Sequence, residues 1–228
     1  MSQFSLAAEA RNFARELSAL LNGTVCGGVQ LTAVYTDTPP RVVVGYGIAK
    51  REQDQVMGVP LAIGRRRPRV YLGALYRLSA DAEGQHPMVE SSFMGLFADS
   101  ELEHPLFHYD YERNKGDAYP EAHLQVCAGS SVWSEMSKSL SAHPNREFER
   151  LHLPVGGRRF RPSLEDLIEF AVVEGLATGR VGWEKRVAEG REGFHNRQLR
   201  AAIRRNPDIA IAALKEQGNW PATPAASD

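Results

Sequence analysis

The order of residues predicts an α+β fold: a mainly antiparallel sheet or partly closed barrel of about seven to nine short strands, with an N-terminal helix and a C-terminal helical segment. Three observations carry this. An amphipathic stretch opens the chain over residues 5–21. A long middle part alternates short β-branched runs with Gly and Pro breakers. From Ser163 onward, apolar positions return at helical spacing.

In the first helix Leu6, Ala10, Phe13, Ala14, Leu17 and Leu21 share one face, while Glu9, Arg11, Arg15 and Glu16 turn away from it. Ser5 is the N-cap and Asn22-Gly23 the stop signal. Val29–Tyr35 then alternates, Pro39-Pro40 turns the chain, and Arg41–Ala49 is β-branched and interrupted by Gly45 and Gly47. A run from Val56 to Ile63 leads into Gly-Arg-Arg-Arg-Pro at 64–68. Arg69–Leu78 is the cleanest strand, with Val70, Leu72, Ala74, Tyr76 and Leu78 on one face. Met88–Phe97 adds a weaker run. Gly45, Gly47 and Gly58 match neither nucleotide-binding glycine fingerprint, so they read as sites of close packing or bulges.

Residues 129–150 are polar and serine-rich, with one short helix expected around Val132–Leu140 and no G-x-S-x-G about any serine. Pro162 stops the preceding strand, Ser163 caps a helix, and Glu165 with Asp166 occupy the first turn, where the dipole favours acids. Leu164, Leu167, Ile168, Ala171, Val172 and Leu176 form its stripe. Further helices are expected over Trp183–Glu189, over His195–Arg205, and from Asn206-Pro207-Asp208 to Gln217. The organisation that results is an N-terminal helix plus sheet over 1–160, a helical part over 161–218 packed on the sheet as one unit, and a disordered tail over 219–228.

Composition bounds the function. With 228 residues, 43% of them hydrophobic and 24% charged, and a formal net charge of -1, the chain has a globular profile and is no polycationic coat. Cys26 and Cys127 lie far apart and outside any CxxC, which excludes a disulfide scaffold and a four-cysteine zinc module. The opening segment lacks a basic n-region, and no apolar run approaches 18 residues, so neither a signal peptide nor a membrane span is expected. A cytoplasmic protein without a cofactor or membrane contact is the expectation; nothing in the sequence sets its oligomeric state.

One constellation of polar residues stands out. Strand alternation sends Phe107, Tyr109 and Tyr111 one way and His108 with Asp110 the other. In 122–127 it separates His123 and Gln125 from the apolar set, and in 151–155 it sets His152 against an apolar face. If the three strands are neighbours, one sheet face gathers His108, Asp110, His123, Gln125 and His152. Imidazoles titrate near neutral pH, and two of them with a carboxylate suit general acid–base chemistry on a phosphodiester. The same donors are those of a zinc site, but H-x-D and H-x-Q lack the spacing of HExxH, so no metal is expected. His, Asp and Gln are also ordinary occupants of the solvent side of a half-buried sheet. His86, His104 and His143 each precede a proline and read as loop or strand-entry residues.

Basic residues form a second feature. Gly156-Gly157 reads as a tight turn, and Arg158, Arg159 and Arg161 precede the Ser163 helix, an arrangement suited to an anion. Glu165 and Asp166 compete for those arginines, which favours an internal ion-pair network. Farther on, Arg197, Arg200 and Arg204 share a helix face. Residues 158–205 hold 11 Lys and Arg against 7 Asp and Glu, a local excess of about +4.

Two readings follow. The first is a non-catalytic interaction or regulatory protein that contacts an acidic protein or nucleic acid through Arg197, Arg200 and Arg204. The second is a small phosphodiester hydrolase with His108, His123 and His152 as acid–base residues, Asp110 orienting or raising the basicity of one of them, and Arg158, Arg159 and Arg161 as anion binders. No complete catalytic motif decides between them.

Overall fold

The first long helix, α1 (Leu6–Thr24), follows from its sequence pattern: Ser5 accepts from the Ala8 amide at its start, and Ala10, Ala14, Leu17 and Leu21 are buried along one side. The computed structural model describes residues 4–37, 40–54, 57–64, 66–116, 119–139 and 145–218. Pro39, Val56, His143 and the 219–228 tail lie outside them.

After α1 come the strands β1 (Thr32–Asp37), β2 (Pro40–Gly45), β3 (Val59–Pro60), β4 (Tyr71–Ala80), β5 (Pro87–Phe97), β6 (Pro105–Glu112) and β7 (Ala122–Val126). A short helix α2 (Ser131–Ser137) and a 3-10 turn (Phe148–Arg150) precede β8 (Leu153–Pro154). Four helices follow: α3 (Gly157–Phe160), α4 (Leu164–Val173), α5 (Trp183–Arg205) and α6 (Pro207–Glu216). The fold is α+β. Its eight strands form an open antiparallel sheet in the order β1-β2-β4-β5-β6-β7-β8, with β3 paired to β4 beyond the end of β2. β1 and β8 end the row, so the barrel alternative does not hold.

Alternation decides which face of the sheet is covered. Leu72, Ala74, Tyr76 and Leu78 of β4 join Met94 and Leu96 of β5 in one core with α1 and with Leu164, Leu167, Ile168 and Ala171 of α4. Val187 of α5 closes that core. Each Å² of apolar surface removed from water contributes about 25 cal/mol, which makes this layer the main source of stability. The opposite face carries only a small cluster of Val43, Ile48 and Leu75, against which Val34 and Phe93 pack. Phe97, 6.1 Å from Phe93 by ring centroid, is buried on the same face, and the polar side chains of β6 and β7 lie beyond it.

Several expectations are corrected in detail. The two helices expected over 183–189 and 195–205 are one, α5, which runs unbroken through Gly190 and Gly193. Gly190 is where α5 meets α4, since a Cβ there would lie 2.6 Å from Glu165 Oε1. Among the described residues, the run expected from Val56 to Ile63 yields only the two-residue β3, and 151–155 only the two-residue β8. Helix α2 is shorter than the expected 132–140 and ends at Ser137. Gly156-Gly157 does not make a simple turn: Gly157, at φ 64°, begins the four-residue α3. Ser163 caps α4 as a reciprocal box, in which its Oγ accepts from the Asp166 amide and the Asp166 carboxylate accepts from the Ser163 amide.

Both cysteines are free, with Cys26 buried at the end of α1. Burial pushes the Cys26 thiol up to about 12, against the opposing charge of Arg180. Arg180 donates to the Cys26 carbonyl at 2.8 and 3.0 Å and so ties the α4–α5 connection to α1. No helix among the described residues is long and apolar enough to cross a membrane.

Candidate functional site on the open sheet face

Strands β6 and β7 are neighbours, with His108 opposite Gln125 and Asp110 opposite His123. Directly opposed residues of an antiparallel pair share a face. The four side chains therefore emerge together on the face that the helices leave uncovered. On the other side of β7, β8 pairs His123 with Pro154, which brings His152 alongside although it precedes the strand.

The contacts are close. His108 Nε2 lies 3.2 Å from Asp110 Oδ2 and 3.0 Å from Gln125 Oε1. The same Asp110 oxygen lies 3.6 Å from His123 Nε2. His123 Nδ1 faces the Pro120 carbonyl at 3.4 Å; a carbonyl only accepts, so that nitrogen carries the proton. The ring of His152 lies between two others, tilted to both, 4.5 Å from His123 and 4.0 Å from Tyr119 by centroid. The Arg146 guanidinium stands 3.5 Å from His152 Nδ1.

Glycine makes room for the first histidine. Gly95 sits opposite His108 on β5, and a Cβ there would meet His108 Cβ at 2.8 Å. The His108 ring instead packs on Phe93 at 5.3 Å.

The environments push two of the imidazoles apart. Burial alone would lower His108, but the hydrogen bond and charge of Asp110, helped by Gln125, outweigh it and raise its pKa above the ordinary imidazole value. His152 is held below that value by burial first, then by His123 and Arg146, against a contact with the Arg150 backbone. Opposed shifts in one cluster are the arrangement from which acid and base roles arise.

Asp110, His123, Gln125 and His152 line a cleft of about 720 Å³, bordered by Arg41, Arg77 and Lys115. Arg41 pairs with Glu90 at 2.7 Å and Arg77 with Asp54 at 3.0 Å. His108 lies behind this wall and reaches the cleft through Asp110 and Gln125. Among the described residues, no group of three or more His, Cys, Asp or Glu is placed to hold a metal ion.

The arginines expected as anion binders are elsewhere. Arg158 pairs with Glu121 at 2.5 Å and donates to Asn114 Oδ1 at 2.8 Å, fastening α3 to the β6–β7 connection. Arg159 donates to the carbonyls of Gln198 and Ala201 on α5. Arg161 lies on the helix-covered side of the sheet, 4.2 Å over the Tyr111 ring. Glu165 and Asp166 do not answer them; Asp166 and Glu169 pair with Arg191 instead. Arg197, Arg200 and Arg204 are exposed on the second half of α5, where Arg197 lies 3.8 Å from Glu16 of α1.

Lys115, Tyr119 and Arg146 belong to the histidine neighbourhood and were not anticipated from the sequence. The first two lie in the β6–β7 connection, which must end beside the histidine-bearing strands; that adjacency was the available signal. Arg146 is 6 positions before His152 and carried none. Compared with known protein families, with curated proteins and with solved structures, the chain matches none.

Proposed function

We propose that this protein is a small hydrolase that acts on phosphodiesters in the cleft of the open sheet face. The observation behind this reading is the approach of His108 and His123 to one Asp110 oxygen, with the His152 ring 4.5 Å from His123 at the cleft wall.

In the proposed reaction His152 is the general base, since burial and its cationic neighbours favour the neutral ring that a base requires. It takes a proton from the attacking hydroxyl or water as the new O–P bond forms. His123 is the general acid: the Pro120 carbonyl holds Nδ1, and Nε2, 3.6 Å from Asp110 Oδ2, gives a proton to the departing oxygen as the P–O bond breaks. Lys115, which pairs with Glu112 at 3.2 Å, and the acid-paired Arg41 and Arg77 at the border would turn positive charge toward the phosphoryl oxygens. Asp110 and His108 are positioning residues that hold His123 through one carboxylate.

The test is hydrolysis of RNA, single-stranded DNA and 2′,3′-cyclic nucleotides by the purified chain, with and without a divalent cation. His123→Ala and His152→Ala are expected each to lower kcat by about 10²–10⁴-fold, the usual worth of a general acid or base, with the fold intact by circular dichroism. His108→Gln is expected to move the acidic limb of the pH–rate profile and to reduce kcat less. Full turnover by the His123→Ala and His152→Ala proteins would exclude the proposal.

A further inference from the structure

A second cleft, of about 560 Å³, opens on the covered side of the sheet between β4, β5, α1, the α3–α4 junction and α5. Its size is in the range of sites that enclose a small molecule. The lining is divided. Phe13, Leu17, Tyr76, Leu78, Met94 and Phe194 give an apolar floor, and Phe13 meets Tyr76 edge-on at 5.1 Å. The wall is cationic, with six arginines against Asp81, Glu83 and Glu165.

Three of those arginines, at 113, 159 and 161, have backbone carbonyls as their hydrogen-bond acceptors. Arg113 donates to the Val89 carbonyl at 3.1 Å, and Arg159 to those of Gln198 and Ala201 at 3.2 and 3.4 Å. Arg161 donates to the Arg158 carbonyl and lies over the rings of Tyr111 and Phe194, at 4.2 and 5.8 Å. Among the described residues none of the three is in an ion pair. The acids in the wall do not supply one. Asp81 is engaged by the Gln85 and His86 amides at 2.7 and 3.0 Å, and Glu165 is packed on Gly190.

A cation held in an apolar surround without a counter-ion is costly, and an anion there is correspondingly favoured. We propose that this cleft binds a small amphipathic anion, its carboxylate or phosphate head against Arg113, Arg159 and Arg161 and its apolar body on Phe13, Tyr76, Leu78 and Phe194. The head would take the charge-assisted, two-pronged hydrogen bonds that guanidinium groups form with planar or tetrahedral anions. Burial, to which the charge of other arginines adds and which Tyr111 opposes, depresses all three guanidinium pKa values, and a bound anion would reverse that. This site is separate from the histidine cleft, although Met88, Ser92 and Arg113 border both.

The test is calorimetric titration of the full chain with decanoate, decyl phosphate, decyltrimethylammonium and inorganic phosphate, each below its micelle concentration. Both decyl anions, or one of them, are expected to bind at a single site, and the tighter of the two identifies the head. Arg161→Met and Arg159→Gln are each expected to weaken binding by about tenfold or more, the usual worth of a charge-assisted contact. The Arg159 variant keeps the test alive if the half-buried Arg161 is needed for folding, which thermal unfolding reports. His123→Ala is expected to bind as the parent does. Absence of binding by both decyl anions would overturn the proposal. So would equal binding of the decyl cation, inorganic phosphate as tight as decyl phosphate, or loss of binding in His123→Ala.

Discussion

Gly95 shows how a single missing side chain shapes the open face. A Cβ at this position would meet both His108 Cβ and the Phe107 carbonyl at 2.8 Å, contacts that real structures essentially never show. Replacement by Val would push the His108 ring off Phe93 and away from Asp110 Oδ2. We expect Gly95→Val to destabilise the protein by about 1–3 kcal/mol, as overpacking does. Urea unfolding measures the cost, and the His108 ring resonances report the displacement; unchanged resonances would show that the ring does not depend on Gly95. Strand alternation was enough to separate His108 and Asp110 from Phe107, Tyr109 and Tyr111, because period two is a local property. The need for glycine opposite His108 was not legible, because it depends on a strand register that no local pattern sets.

At the scale of elements, α4 is the part most fully written in local sequence. Ser163, Asp166 and the Leu164, Leu167, Ile168 and Ala171 stripe give its cap, its first turn and its buried side. Ser163 is nearly buried, so its capping hydroxyl has no water to fall back on. Ser163→Ala is expected to cost about 1 kcal/mol, the usual value for a lost N-cap, read as a lowered denaturation midpoint with an unchanged slope. A midpoint equal to the parent's would mean that the box adds nothing to packing. By contrast, α5 read as two helices, 183–189 and 195–205, with Gly190 and Gly193 falling between them. In the fold, Gly190 instead lets the buried Glu165 of α4 approach α5 closely, so the same residue that weakens a helix locally is required by its neighbour. The partner of Arg158 was not legible for a related reason. Nearby acids in sequence suggested partners, whereas Arg158 pairs with Glu121, 37 positions away.

For the whole molecule, the open sheet places the two clefts on opposite faces, and its register brings His108 of β6 beside Asp110, with His152 alongside β7. The sign of its pH dependence follows from the opposed shifts. His108 has a raised pKa in the fold, so its contribution to stability is fully present below the ordinary imidazole value of about 6.5 and is lost as pH rises through the raised value. His152 has a lowered pKa, so its contribution is present above about 6.5 and is lost as pH falls through the lowered value. Single replacements should therefore separate the two limbs. His108→Gln and Asp110→Asn are each expected to destabilise more at pH near 5.5 than at pH near 8.5, since both remove the imidazolium–carboxylate pair. His152→Gln is expected to flatten the loss of stability on the acid side, because Gln has no proton to accept. Denaturation midpoints for the parent and the three variants, taken in steps across that range, would show whether the cluster titrates as a unit. A midpoint difference between parent and His108→Gln that does not vary with pH would mean that His108 is not coupled to Asp110, and the histidines would then be independent occupants of a polar face.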